Sequence, residues 1–182
     1  ALFKAGRCGL LVEWGDPGPL QLDDDATAIK GKLYAISALG SREVLNRATG
    51  ELVPVNNVNA PHAIDGINYA PFAAFGGWAG AVNKGADQKT KDAAYAFLSY
   101  MNQSAQSSVD VTIGATGYNP YRLSQLSSPD LFVKAGMPQA LAENYIGAIN
   151  GALNSLNMAS DMKIPGAQKY TSVVLDTELA RY

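Results

Sequence analysis

The stretch Phe75–Met101, FGGWAGAVNKGADQKTKDAAYAFLSYM, decides how the rest of the chain reads. It predicts a short strand, a turn and then a helix. Gly76 and Gly77 have no Cβ, so backbone there can approach another group closely. Trp78 follows at once, and its flat ring suits stacking on a ligand face. Ala79-Gly80-Ala81-Val82 continues the strand, and Asn83-Lys84-Gly85 supplies the turn. Asp87 or a neighbour caps a helix that runs to about Asn102. Ala93, Ala94, Phe97, Leu98 and Met101 recur at spacings of three and four, the buried stripe of an amphipathic helix, while Lys89, Lys91 and Asp92 face water. The segment points to a binding cleft and not to a catalytic centre.

Working outward, the 182 residues suffice for one domain or one large lobe with a real core. Hydrophobic residues make up 47% of the chain and charged residues 16%, a globular balance that is low in charge. The net charge of -2 gives no basic surface for nucleic acid or an anionic membrane. No apolar run approaches the roughly 18 residues of a membrane span. The chain starts at Ala1 with no signal-peptide pattern, which reads as a processed or partial piece of something longer.

The single cysteine, Cys8, leaves no internal disulfide and no multi-cysteine metal site; it reads as a small buried hydrophobe beside Leu10 and Leu11. With His62 as the one histidine, a multi-histidine metal centre is excluded. Asp23-Asp24-Asp25 is too closely spaced for a cation loop and reads as a solvated turn or a helix cap. No G-x-S-x-G elbow exists to make His62 part of a nucleophilic triad. Glu13 and Asp16 are an acid pair, but their place on a loop sets no separation suited to glycoside hydrolysis. No catalytic, cofactor or metal site is expected.

Near the start, Leu10-Leu11-Val12 reads as a buried strand that ends in the loop Glu13-Trp14-Gly15-Asp16-Pro17-Gly18-Pro19. α/β folds place ligands at such strand exits. Trp14 there either contacts a ligand or covers the end of the core, and both readings stand. Arg47–Leu52 reads as a turn between two strands, and 56–74 as a long irregular connection. Pro120 forbids a helix through Tyr118-Asn119-Pro120-Tyr121-Arg122. That loop offers tyrosines and an arginine for stacking and hydrogen bonding, or for ordinary packing and pairing with an acid. Ser128-Pro129-Asp130 and Pro138 each start a helix. The second carries Leu141, Tyr145, Ile149, Ala152 and Leu156 at near-helical spacing. Ile164-Pro165-Gly166 breaks the chain, and a last helix follows from Ala167.

The order of these motifs carries a resemblance. F-x-x-G-x-x-G-L-L-V precedes a Trp loop; then come G-G-W-A-G-A-V-N-K, a helix ending A-F-L-S-Y-M, N-P-Y-R-L-S, and a helical pair joined by K-I-P-G-A-Q-K-Y. This order resembles the carboxyl-terminal lobe of family 1 extracellular solute-binding proteins, the sugar receptors of ABC importers. The resemblance spans residues 1–182 and implies one α/β lobe of a two-lobe, periplasmic-binding-protein type II-like fold, with a short central sheet flanked by helices. It implies a non-enzymatic site for a saccharide or other small polar solute, lined by Glu13, Trp14, Gly77, Trp78, Tyr118, Arg122, Gln168 and Tyr170. It also implies a second lobe in the same or a companion chain, a membrane transporter as partner, and an extracellular or periplasmic location. The alternative is the same fold reused as an interaction module in a larger extracellular or membrane-anchored assembly.

Overall fold

The computed structural model of the chain describes residues 2–23, 28–73, 79–160 and 164–181. It is a mixed α/β protein that divides into two compact units. The first comprises Ala1–Leu39 with Trp78–Ser155, and the second Gly40–Gly77 with Leu156–Tyr182.

The described part of the first unit is helical. Its helices are α1 (Pro17–Leu20), α2 (Gln88–Met101), α3 (Ser104–Asp110), α4 (Leu123–Leu126), α5 (Asp130–Lys134) and α6 (Gln139–Leu153), with a 3₁₀ turn over Gly114–Thr116. The core is made by the second half of this unit: Val111, Leu126, Phe132, Met137, Leu141, Ala142, Tyr145 and Ile146 are buried together. Phe132 meets Tyr145 edge to face, centroids 5.1 Å apart at 81°, a pairing worth about 0.5–1.5 kcal/mol beyond area burial. Pro138, at the N-cap of α6, lacks the N–H that a helix start leaves unpaired. Two asparagines on α6 tie other segments to it. Asn144 Oδ1 accepts from the Ala35 amide at 2.8 Å and its Nδ2 donates to the Ala35 carbonyl at 2.9 Å. Asn150 Nδ2 donates to the Leu126 carbonyl at 2.8 Å.

The second unit holds the strands. β2 (Glu43–Leu45) and β3 (Leu52–Pro54) form an antiparallel hairpin in which Val44 faces Val53. Gly50 closes the hairpin loop with φ of 77°, a left-handed conformation that glycine adopts without Cβ strain. β1 (Gly40–Ser41) pairs antiparallel with β4 (Asn68–Tyr69), and β5 (Phe72–Ala73) pairs parallel with β6 (Ala159–Ser160). The last segment coils through α7 (Ala167–Lys169), a π turn (Tyr170–Leu175) and α8 (Asp176–Leu179).

Several expectations change here. The expected short central sheet is replaced, among the described residues, by three separate two-stranded pairs. Leu10, Leu11 and Val12 are exposed coil and not a buried strand. Among the described residues, no ladder partner satisfies their backbone. Pro17, Gly18 and Pro19, read as loop, are instead buried in α1, because proline rings are apolar and pre-set for a first helical turn. Cys8 is exposed. On α2, Asp87 does cap the helix, its carboxylate accepting from the Thr90 amide at 3.0 Å. The expected stripe is only half-covered: Ala94, Leu98 and Met101 are partly buried, while Ala93 and Phe97 are exposed. Residues 79–82 are extended coil, with Gly80 against Leu98.

Candidate functional site

The loop at the start of α1 and the loop before α4 meet on the surface of α6. Asn119 lies so close to Gly15 that a Cβ built there would sit 2.7 Å from Asn119 Oδ1 and 3.2 Å from Ile149 Cδ1. At Gly18 a Cβ would run into the Tyr145 ring. Asp16, between those two glycines, is therefore held beside Asn119 and Tyr145. Both glycines are required by close approach of side chains rather than by turn geometry.

Three side-chain oxygens of these residues have no hydrogen-bond partner among the described residues: Asp16 Oδ1, Asn119 Oδ1 and Tyr145 Oη. All three are shielded from solvent. Buried polar groups are ordinarily paired, and each unpaired one costs about 1–3 kcal/mol. Burial pushes the Asp16 carboxyl above its usual range, with the Glu13 carboxylate adding to the effect. Burial likewise raises the Tyr145 phenol, and the Asp16 charge reinforces it. Gln21 Oε1, at the other end of α1, is also buried and unpaired.

Of the residues expected to bind ligand, Glu13, Trp14 and Tyr118 are brought to this place. Glu13 and Trp14 are exposed, the Trp14 amide donating to Glu13 Oε1 at 3.2 Å. Tyr118 is half-buried and packs against the core. Arg122 is engaged elsewhere. Its Nε donates to Ser107 Oγ at 3.0 Å, a terminal guanidinium nitrogen donates to the Asn102 carbonyl, and its plane lies over the Tyr121 ring. Buried Gln125 fixes this loop by accepting from the amides of Tyr121 and Arg122 at 3.0 and 3.1 Å. Gln168 and Tyr170 are exposed in the second unit. Gly77 and Trp78 lie outside the described residues.

Asp16, Asn119 and Tyr145 were not singled out by sequence as site residues. Tyr145 was visible only as part of an apolar stripe. A buried tyrosine nevertheless needs a partner for its hydroxyl, and that requirement was the available signal. Among the described residues, no group of three or more His, Cys, Asp or Glu side chains is placed to hold a metal ion. No described helix is long and apolar enough to cross a membrane. Comparison with known proteins finds no match to a protein-family model, a curated protein or a solved structure.

Proposed function

We propose that this chain is the ligand-binding lobe of an extracellular solute-binding protein of the family 1 type, working by binding and not by catalysis. The observation that carries the reading is the set of unpaired buried oxygens of Asp16, Asn119 and Tyr145, where the Trp14 loop and the loop before α4 meet α6. Small-molecule sites combine apolar walls with a few placed polar groups, and an aromatic ring beside acceptors suits a saccharide or another small polar solute. The motif order adds support, and implies a second lobe and a membrane transporter as partners at an extracellular or periplasmic site. Calorimetric titration of the protein with mono- and disaccharides tests it. Saturable heat that weakens severalfold in Trp14→Ala is expected. No heat and no change in melting temperature across the panel discards the proposal.

A second reading rests on a different observation. Tyr95, Phe97 and Tyr100 on α2 are 70%, 62% and 52% exposed, and exposed aromatics favour protein contacts. As an interaction module within a larger assembly, the chain would protect these three rings from solvent labelling once assembled. Full labelling of all three in the assembled state discards that reading.

A further inference from the structure

We propose that the outward face of α2 docks a second copy of this chain, the two helices crossing antiparallel about a twofold axis between Ala96 and Phe97. This rests on the interaction-module reading and names its partner. Two apolar stripes run along the 14 residues of α2. Ala94, Leu98 and Met101 form one and are partly buried. Ala93, Ala96, Phe97 and Tyr100 form the other, at the i, i+3, i+4, i+7 spacing of a packing face, and all four are exposed. No residue of α2 is fully buried, and a helix of this length is marginal in water on propensity alone. Tyr100 is also fixed in place. Its hydroxyl donates to Gln106 Oε1 at 2.7 Å, and Gln106 Nε2 donates to buried Asp110 at 2.8 Å. A ring that is 52% exposed yet already ordered loses little side-chain entropy on docking.

The order of residues within the exposed stripe selects a second copy as the occupant. Its first half is small, Ala93 and Ala96, and its second half is large, Phe97 and Tyr100. A parallel pairing would crowd ring against ring at one end and leave a gap between alanines at the other. An antiparallel pairing sets Ala96 opposite Phe97 and Ala93 opposite Tyr100, twice over by symmetry. Each ring then fills the space beside an alanine, the self-complementarity that an isologous interface requires. Charge agrees. Lys89 continues the stripe one turn before Ala93, and its ammonium makes no ion pair among the described residues. The antiparallel register carries it to the C-terminal end of the second copy's α2, where the helix dipole is negative and the last turn holds no basic residue. A single helix crossing is smaller than the about 1,200 Å² of a standard interface, so dimers form at micromolar concentrations and above.

Sedimentation velocity of the 182-residue chain from low micromolar to millimolar concentration should show a monomer–dimer equilibrium. Phe97→Ala should weaken it about tenfold or more. Ala96→Glu keeps a good helix former at an exposed position but sets a carboxylate against the facing ring, and should abolish the dimer. In a Cys8→Ser background, Ala96→Cys lies beside its own copy across the axis and should oxidise to a covalent dimer. Ala93→Cys faces Tyr100 and should not, nor should Ser99→Cys on the far side of α2. Solvent labelling of Phe97 and Tyr100 should fall on dimerisation while that of Tyr95, on another side of the helix, stays. A dimer untouched by Phe97→Ala and Ala96→Glu, or one that links through Ala93→Cys as readily as through Ala96→Cys, overturns the inference. A chain that stays monomeric at every concentration also overturns it. Protection of Phe97 and Tyr100 in a larger assembly would then leave the interaction-module reading standing, and full labelling there would remove both.

Discussion

Phe132 and Met137 in the first unit are almost wholly excluded from water, whereas Val44 and Val53, which face each other in the hairpin of the second, are only half-covered. Among the residues of the second unit whose burial is described, only Ala60 and Pro71 are buried. Its order comes from turns and amides instead. Asn56 Oδ1 accepts from the amides of Val58 and Asn59, and Asn157 Nδ2 donates to Asn68 Oδ1 and to the Tyr69 carbonyl. Each large side chain fully buried contributes about 1.5–3 kcal/mol, while a typical net hydrogen bond contributes about 0.5–1.5 kcal/mol. The two units are thus held by different forces. The first can carry the cost of unpaired polar atoms at Asp16, Asn119 and Tyr145 because its apolar core offsets them.

The largest way to break this contrast is Phe132→Ala. It should destabilise the first unit by about 3–5 kcal/mol in denaturant unfolding, through lost burial and a cavity beside Tyr145. Amide exchange should show strong protection over 141–149 and little over 167–179. Equal protection in the two stretches would erase the distinction. Gly18→Ala drives a methyl into the Tyr145 ring and should cost about 1–3 kcal/mol by overpacking. In the second unit, Gly50→Ala strains a left-handed residue with open space around it. It should cost about 1–2 kcal/mol, seen as loss of hairpin chemical-shift signatures while the core of the first unit keeps its exchange rates.

Asp16→Asn sharpens the comparison in the opposite direction. Burial raises the folded-state pKa of Asp16, so the folded protein favours the neutral carboxyl. The associated stability is fully present below the unfolded-state pKa, and it is lost as pH rises through the raised folded value. At neutral pH the charged form therefore weakens the fold, and Asp16→Asn should raise the melting temperature there and flatten its decline with pH. A lower melting temperature at neutral pH would show that the charge is compensated. The smallest effect is expected at Asp87, whose carboxyl is held below the usual range by the Thr90 hydroxyl and amide. Asp87→Ala should fray the first turn of α2 in amide exchange and leave the α6 core untouched.

How much was legible follows the range of the interactions. The Arg47–Leu52 turn, the Asp87 cap, the break at Pro120 and the helix after Pro138 all depend on a residue and its near neighbours, and each is present in the structure. The burial of Pro17–Pro19, the exposure of Leu10–Val12 and the turning of Arg122 toward Ser107 depend on residues far away in sequence. Hydrophobicity alone ranks Leu10 above Pro17 as a core residue, and only a partner surface reverses that order. The partial site reading has the same origin. Sequence placed Glu13, Trp14 and Tyr118 on loops able to present side chains, but it could not show that the loops meet.

The amino-acid sequence by itself determined the hairpin turn, the Asp87 cap and the helix after Pro138, the absence of a disulfide framework, and the two loops worth watching. The tertiary structure alone decided that Gly15 lies against Asn119 and Gly18 against Tyr145. It thereby turned three ordinary polar residues into a set of unpaired oxygens around Asp16. The physical reason is that propensity and capping act over a few residues. Desolvation of a carboxylate and a missing hydrogen-bond donor exist only once distant segments have packed.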